Sequence, residues 1–321
     1  MKRFIALAVM AVMTIGSAIT VNAATFYDIN DVPWEGAKEY INSASALNLM
    51  VGDTDASNRT VFRAKDRVTY CESMQIVYSI LKNANVMENS NYDISKWKSS
   101  MQEAYIPEWA YPCVSYGLEN EILLENDLGI FMKGEGINRD ATRENVAVIF
   151  GKAIDHLSEV NQAAVLDFKD KGEVSITSIP YIDLLSRFSI IVGDDGNFNP
   201  KNYINRAEMA VISSKTYYKV KELKEDFDSK AETISGTVML TDDGISSKTI
   251  SVSENGSGAL SEFTITSDVP VTNNEGYTKS YEDISIGDIV TVVSVNKIVT
   301  SVVIDYENEH IESTEFEIQN N

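Results

Sequence analysis

Three short segments of the chain share one pattern, and each opens an apolar helical stretch. They read V-T-Y-C-E at 68–72, A-T-R-E-N at 141–145 and I-N-R-A-E at 204–208. Apolar residues recur after each segment mostly at spacings of three and four, which predicts an amphipathic helix with one apolar stripe. Three such helices favour a shared bundle. The copies lie too far apart for the common short solenoid repeats, so we expect them to close on each other.

The first turns of these helices carry candidate capping residues. Thr69 with Glu72, and Asn205 with Glu208, have the spacing of a capping box, in which a side-chain oxygen closes the first turn and Glu bonds back to the cap. The middle copy departs from this spacing, because Glu144 follows Thr142 by only two residues. We assign all six residues a mainly structural, capping role.

Two copies place an arginine at the first helical position, Arg143 and Arg206, whereas the first copy has Tyr70 there. An acidic residue would suit the positive end of the helix dipole better. A cation beside free backbone N–H groups instead forms a candidate anion site. The alternative is a surface ion pair with a neighbouring carboxylate, which an acidic protein readily supplies.

A second set of residues recurs upstream of each helix. The first copy has Phe26, Asp28, Trp34 and the segment L-M-V-G, which ends at Gly52. The second copy keeps Trp109. The third copy has Phe168, Asp170 and the segment S-I-I-V-G-D-D-G-N-F-N-P at 189–200, which contains Gly193. In these sequence motifs, and in N-R-A-E at 205–208, the chain resembles the S-layer homology family. The resemblance covers residues 25–222, and the motifs that carry it recur three times in the same order.

This resemblance implies a mainly α N-terminal region, a pseudo-threefold trimer of helical lobes with motifs at 24–90, 91–160 and 161–222. It also implies a secreted protein of the cell wall or S-layer, anchored noncovalently to a cell wall polysaccharide linked to peptidoglycan, commonly one that bears a ketal pyruvate. Other surface-layer proteins are further candidate partners. The departures are Tyr70 in the first copy, no Trp near Thr177 in the third, and a different loop at 126–136 in the second.

The resemblance and the residue chemistry together give a set of candidate glycan-binding residues. The arginines would bind a sugar carboxylate, and the tryptophans would either stack on a sugar face or close a lobe. The aspartates would orient sugar hydroxyls or cap a turn. The glycines would serve tight turns or let the sugar approach the backbone. The set is Arg143, Arg206, Trp34, Trp109, Asp28, Asp170, Gly52 and Gly193.

The N-terminus and the charge narrow the class of protein. Residues 1–23 read as a secretory signal peptide, with basic residues, an apolar stretch and a small-residue cleavage pattern. No later stretch is apolar enough to span a membrane. The 48 acidic and 27 basic residues give a formal charge of -21, which argues against nucleic acid and anionic lipid as partners.

The sequence predicts no metal, cofactor or catalytic site. Cys71 and Cys113 are expected to be buried free thiols, with one disulfide as the alternative. His156 and His310 lack metal-ligand spacing, and the run at 193–197 reads as a turn rather than a calcium loop. Because catalytic motifs are missing, an enzyme acting on wall glycan is only an alternative. A structural or assembly protein of the envelope with degenerate glycan binding is another.

The pattern changes from helical to alternating after a charged linker at 223–231. A small all-β domain, a barrel or a sandwich, is predicted at 232–307, followed by an acidic flexible tail at 308–321. The candidate strands are 234–240, 249–252, 263–266, 289–295 and 298–304, and Asn296 with Lys297 is expected to form a two-residue hairpin.

Overall fold

The computed structural model describes residues 25–87, 92–267, 269–295 and 297–307. The predicted signal peptide, the predicted tail with His310, and Asn296 lie outside the described residues. The chain divides into two compact units, with the division between Asp226 and Phe227. Helices dominate the first unit and strands the second.

The helical unit contains the α-helices of the described residues, of which the final one crosses the division, and two short antiparallel ribbons. The helices are α1 (Ala37–Ala46), α2 (Tyr70–Asn83), α3 (Ile94–Glu103), α4 (Tyr111–Glu119), α5 (Arg143–Ile154), α6 (Ile179–Arg187) and α7 (Arg206–Lys230). One ribbon pairs β1 (Asp53–Thr54) with β2 (Thr60–Val61), and the other pairs β3 (Met132–Gly134) with β4 (Ile137–Asn138). Helices α2, α5 and α7 are the three that the repeated segments at 68–72, 141–145 and 204–208 predict.

Backbone hydrogen bonds join the three copies in a closed ring immediately before these helices. The Val68 amide donates to the Ile204 carbonyl at 3.0 Å, the Ile204 amide donates to Ala141 at 3.2 Å, and the Ala141 amide donates to Val68 at 2.8 Å. Each copy therefore donates once and accepts once, and the three helices start from one common point.

Helices α2 and α7 begin with the reciprocal bonds of a capping box. The Thr69 hydroxyl accepts from the Glu72 amide, and the Glu72 carboxylate accepts from the Thr69 amide at 2.8 Å. The Asn205 side chain accepts from the Glu208 amide, and Glu208 accepts from the Asn205 amide, both at 2.9 Å. These bonds satisfy first-turn amides that a helix leaves unpaired.

Helix α5 starts differently, and the capping role expected of Glu144 is wrong for its own helix. Thr142 accepts from the Asn145 amide, so Asn145 occupies the third position. Glu144 is buried, and its carboxylate accepts from the Ser175 amide at 2.8 Å and from Lys201 Nζ at 2.6 Å. It therefore fastens a loop of the third copy to α5. Desolvation alone would raise the pKa of Glu144, but these bonds outweigh it and lower the pKa.

The predicted linker is helical for most of its length, because α7 continues to Lys230 and β5 begins at Ala231. The segment is rich in Lys and Glu, which are good helix formers. Ion pairs one turn apart, Lys219 with Glu222 and Lys221 with Glu225, add to this preference. The dense charged residues of this segment therefore indicate a helix and not a linker.

The second unit is one seven-stranded mixed sheet with the order β7-β6-β5-β10-β11-β8-β9. Its strands are β5 (Ala231–Asp243), β6 (Ser247–Glu254), β7 (Leu260–Thr266), β8 (Val271–Asn273), β9 (Thr278–Lys279), β10 (Ile289–Val295) and β11 (Ile298–Tyr306). The five predicted strands fall within β5, β6, β7, β10 and β11. Over the residues that the structure describes, the sheet does not close into a barrel, which argues against the barrel alternative and is compatible with a sandwich-like form.

The β unit has its own apolar core. Val238, Ile250, Val290 and Val302 are fully or almost fully buried in it and come from four different strands. In the sheet β11 pairs with β10 in antiparallel fashion and with β8 in parallel fashion. Val295 of β10 lies opposite Ile298 of β11, so two residues connect these strands.

Candidate functional site

Arg206 begins α7 in the third copy, and its side chain lies against the first copy. Nε donates to the Phe62 carbonyl at 2.8 Å and Nη2 donates to the Val51 carbonyl at 2.7 Å. The guanidinium also lies 4.7 Å from the Phe62 ring centroid. With a side chain only 13% exposed, Arg206 fixes the segment before Gly52 to the start of α7.

Arg143 begins α5 in the second copy and lies in the same way against the third. Nη2 donates to the Val192 carbonyl at 3.1 Å, immediately before Gly193, and the guanidinium lies 5.7 Å from the Phe198 ring. Its side chain is 16% exposed. Nε is buried and has no hydrogen-bond partner among the described residues. Arg143 therefore keeps one buried N–H donor unused by the described residues.

Tyr70 completes this set by lying against the second copy. Its ring centroid is 5.4 Å from that of Phe131, and only 4% of the residue is exposed. Burial raises the pKa of the Tyr70 phenol, and a hydrogen bond with Thr142 opposes the rise. The second copy therefore receives a packed aromatic ring where the first and third receive a guanidinium.

Each arginine shares its position with the capping glutamate of the copy that it contacts. Glu208 Oε1 accepts from Arg143 Nη1 at 3.2 Å, while its other oxygen caps α7. Glu72 Oε1 lies 3.9 Å from Arg206 Nη1, outside hydrogen-bond distance. Local charge is therefore largely balanced at both positions. The guanidiniums present directed N–H donors rather than a strong positive field.

The expectation that helix-start amides complete an anion site is wrong for the first helical positions. The Arg206 amide donates to the Asp66 carbonyl and the Arg143 amide to the Asn202 carbonyl, both at 2.8 Å. The following amides, of Ala207 and Glu144, donate to backbone carbonyls as well. These amides are used in joining the copies, so the arginine side chains supply the available donors.

Asp28 and Asp170 occupy equivalent places and bridge two consecutive amides each. Asp28 accepts from the Phe62 and Arg63 amides at 2.7 Å. Asp170 accepts from the Phe198 amide at 2.8 Å and the Asn199 amide at 2.7 Å. Desolvation alone would raise the pKa of Asp170, but these bonds outweigh it and lower the pKa. Both carboxylates hold the aromatic residue that lies beside an arginine.

Gly52 and Gly193 are required by packing. A Cβ on Gly52 would lie 2.5 Å from Phe26 Cε1 and 2.7 Å from the Val61 carbonyl oxygen. A Cβ on Gly193 would lie 2.9 Å from Phe168 Cε1 and from the Asn197 oxygen. The residues before them, Val51 and Val192, are exposed. Each glycine thus brings the chain close to an aromatic ring while its neighbour stays at the surface.

The two candidate tryptophans lie at the surface, and no described residue forms a hydrogen bond with either indole. Trp34 is 40% and Trp109 50% exposed. An exposed indole face is available to a ligand. The remaining tryptophan, Trp97, is different, because its Nε1 donates to Glu119 at 3.0 Å in α4.

The sequence pattern also contained two site residues that were not singled out from it. Phe62 and Phe198 each precede the helix cap by seven residues and form the surfaces beneath Arg206 and Arg143. That common spacing was a usable signal. Val51 and Val192 act through their carbonyls, for which side-chain type gives no signal.

Other candidate chemistry is limited within the described residues. Cys71 and Cys113 are free and buried, and burial raises the pKa of each thiol to about 12.

In the described parts of the chain, no group of three His, Cys, Asp or Glu side chains is placed to hold a metal ion. The run at 193–197 forms a turn in which Asp194 and Asn197 exchange backbone hydrogen bonds. No described helix has both the length and the apolar character of a membrane span.

Comparison with known proteins supports the first and third copies. The family model of the S-layer homology domain matches residues 25–70 and 167–210. A protein of Bacillus anthracis described as an uncharacterized cell wall amidase is 28% identical over 132 residues, which are 41% of this chain. The match spans 23% of that relative's length.

Proposed function

We propose that this protein is a noncovalent cell-wall anchor whose helical unit binds a polysaccharide linked to peptidoglycan. One relationship carries the proposal. The S-layer homology matches cover the first and third copies, and these are the copies against which Arg206 and Arg143 lie. The second copy, which receives Tyr70, lies outside the matched ranges.

We infer a three-lobed arrangement in which each lobe comprises one copy, at 24–90, 91–160 and 161–222. The ring formed by Val68, Ala141 and Ile204 supports it, because each copy bonds to both others. On this arrangement Arg206 and Arg143 lie where two lobes meet, so a ligand there contacts two copies at once.

The proposed contact is a charge-assisted hydrogen bond from guanidinium to an anionic sugar substituent, such as a ketal pyruvate. Arginine carries five N–H donors, and two of those of Arg206 are bonded to described residues. The others are available to a carboxylate. At Arg206 the ligand competes with Glu72, which is 3.9 Å away. At Arg143 it competes with Glu208, which is already bonded at 3.2 Å. We therefore propose Arg206 as the stronger position.

The remaining candidate residues would act around this contact. Trp34 and Trp109 offer exposed faces to sugar rings, while Gly52 and Gly193 let the chain present the Val51 and Val192 surface. Asp28 and Asp170 act indirectly in this proposal, because their oxygens already hold backbone amides. Other surface-layer proteins remain proposed partners.

An enzymatic role is the second candidate, favoured only by the described activity of the Bacillus relative. The shared region leaves more than three quarters of that relative unmatched. We therefore propose that this chain is not an enzyme. Incubation with purified peptidoglycan, followed by chemical detection of newly released amino groups, tests this, and release above a buffer control would overturn it.

The central test is sedimentation of the chain from residue 24 onward with cell walls, before and after chemical extraction of the nonpeptidoglycan polymer. We expect cosedimentation with intact walls only. Equal binding to both preparations would overturn the polysaccharide assignment.

The arginine mechanism needs its own test on a pyruvylated glycan fragment. A charge-assisted bond contributes about 1.5 to 3 kcal/mol, so removing Arg206 should weaken binding at that position by about ten-fold or more. The Arg143→Ala, Arg206→Ala double variant should bind weakly. Arg187→Ala serves as a control, because Arg187 bonds to Asp183 and to the Glu159 carbonyl and is not one of the candidate residues. Unchanged calorimetric affinity in the double variant would remove the mechanism. If the double variant loses affinity for the fragment but still binds cell walls, the chain is a structural anchor with another recognition surface.

A further inference from the structure

The second copy contains an open pocket between the end of α3 and the ribbon of β3 and β4. Its volume is about 350 Å³, and its lining includes Gln102, Tyr105, Glu108, Tyr111, Glu135 and Asn138. This volume is in the lower range of small-molecule sites. Neither Arg206 nor Arg143 lines it, so the pocket is a separate place from the proposed anion contacts.

Tyr105 has a backbone conformation that its residue type disfavours. Its φ is 59°, in the left-handed region, directly after α3 and its cap. Glycine and asparagine are preferred at such positions because a side chain crowds the following carbonyl. The equivalent positions are Asn48 and Asn85 after α1 and α2, and Glu121 and Ser189 after α4 and α6. Tyr105 is also 52% exposed, so core packing does not account for its ring. Tyr105 differs from these residues in placing an exposed aromatic ring at a pocket, where the ring offers its face to a ligand.

The polar side chains of the pocket are not engaged within the protein. None of the described residues forms a hydrogen bond or an ion pair with the side chains of Gln102, Glu108, Glu135 or Asn138. Elsewhere in the second copy, Glu119 is paired with Lys96. The pocket therefore presents two amides and two carboxylates to whatever enters it.

The charge of the lining selects the kind of ligand. Its residues include two glutamates and no Lys, Arg or His. A carboxylate ligand would be repelled, whereas an ammonium group would gain charge-assisted hydrogen bonds. Tyr105 and Tyr111 add aromatic faces, which attract cations and also stack on the apolar face of a sugar ring. The amides of Gln102 and Asn138 can bond hydroxyl groups.

We propose that this pocket binds a hexosamine unit with a free, protonated amino group. The ring would lie on the tyrosines, the hydroxyls would bond to the amides, and the ammonium would lie between Glu108 and Glu135. The proposal goes beyond wall anchoring through the arginines, because it adds a second site with the opposite charge preference. Failure here would leave the arginine test unaffected.

The test uses the chain from residue 24 onward and methyl glucosaminide, which carries a single ammonium and so limits nonspecific attraction to an acidic protein. Binding is followed by NMR titration, with methyl N-acetylglucosaminide as the neutral comparison. We expect the acetylated sugar to bind at least about ten-fold more weakly, because the charge-assisted bonds are lost. Equal binding of the two sugars would overturn the proposal.

Two variants separate the pocket from the fold. Tyr105→Asn removes the ring but suits the left-handed backbone, so binding should be lost while the melting temperature does not fall. Glu135→Gln should weaken binding about ten-fold, whereas Glu103→Gln, an equal change of charge on α3 outside the lining, should leave it unchanged. Unaltered affinity in Tyr105→Asn and Glu135→Gln would overturn the site. If butylamine binds as tightly as the sugar, the ligand is a simple ammonium group and the hexosamine assignment is wrong.

Discussion

Arg206 Nε donates to the Phe62 carbonyl at 2.8 Å, across 144 residues of sequence. This bond and the one to Val51 join the start of the last helix to the first copy. An arginine that could bind a ligand is therefore also part of the fold. Stability and binding must be measured together in any variant of it.

The first prediction concerns this double role. Arg206→Ala should lower the free energy of unfolding by about 1.5 to 3 kcal/mol, because two charge-assisted bonds to carbonyls are lost and the acceptors are left unpaired. Urea denaturation measures the change. Lys221→Ala, at an exposed pair one turn apart on α7, should cost less than about 1 kcal/mol. Equal small losses in both variants would contradict a joining role for Arg206.

The second prediction concerns Gly52. A Cβ there would lie 2.5 Å from the Phe26 ring, so Gly52→Ala should destabilise the helical unit by about 1 to 3 kcal/mol through overpacking. Gly172→Ala is a matched control, since nothing lies within 4 Å of its Cβ position and no positive φ is involved. That control should change stability by less than about 0.5 kcal/mol. A neutral Gly52→Ala would show that Phe26 moves freely.

Much of the helical unit could be predicted from sequence because its signals are local. Capping spacing and apolar periodicity are written within a few residues of each helix start, and alternation marks the five longer strands. The two short strands β8 and β9 carry too few residues for any period. The density of charge after Leu223 predicts a linker, whereas the helix propensity of the Lys and Glu residues there favours the end of α7 that forms.

The site was less predictable, because it depends on how distant copies meet. Arg206 lies against Val51, 155 residues away, and no pattern near either residue specifies that pairing. Glu144 was expected to cap its own helix, yet its carboxylate accepts from Ser175, 31 residues away. The sequence indicated which residue types recur, while closure of the ring decides which of them touch.

The third prediction concerns the independence of the two units. Deletion of residues 231–321 keeps α7 whole and removes the sheet, whose core comes from its own strands. Wall sedimentation by the shortened protein should remain within a few fold of the full chain, since units of this size usually fold alone. Circular dichroism first establishes that helical content is retained. A folded but nonbinding fragment would place part of the site in the sheet.

The last prediction concerns pH and His156. This residue is 8% exposed, and its Nε2 lacks a hydrogen-bond partner among the described residues. Burial lowers the pKa of His156 to about 4, although the charge of Asp155 and a hydrogen bond with the Val86 backbone act in the opposite direction. In the unfolded chain the pKa is about 6.5.

Between about pH 6.5 and 4 the unfolded state therefore binds a proton that the folded state does not. The free energy of unfolding should fall as the pH falls through this window, by up to about 1.4 kcal/mol per pH unit from this group, and should be insensitive to His156 above it. Urea denaturation across the window, compared with His156→Gln, isolates the contribution, because glutamine does not titrate there. NMR titration gives the folded pKa directly, with His310→Gln assigning the signals of the two histidines. A folded pKa near 6.5, or identical pH dependence in both proteins, would contradict the burial of a neutral imidazole.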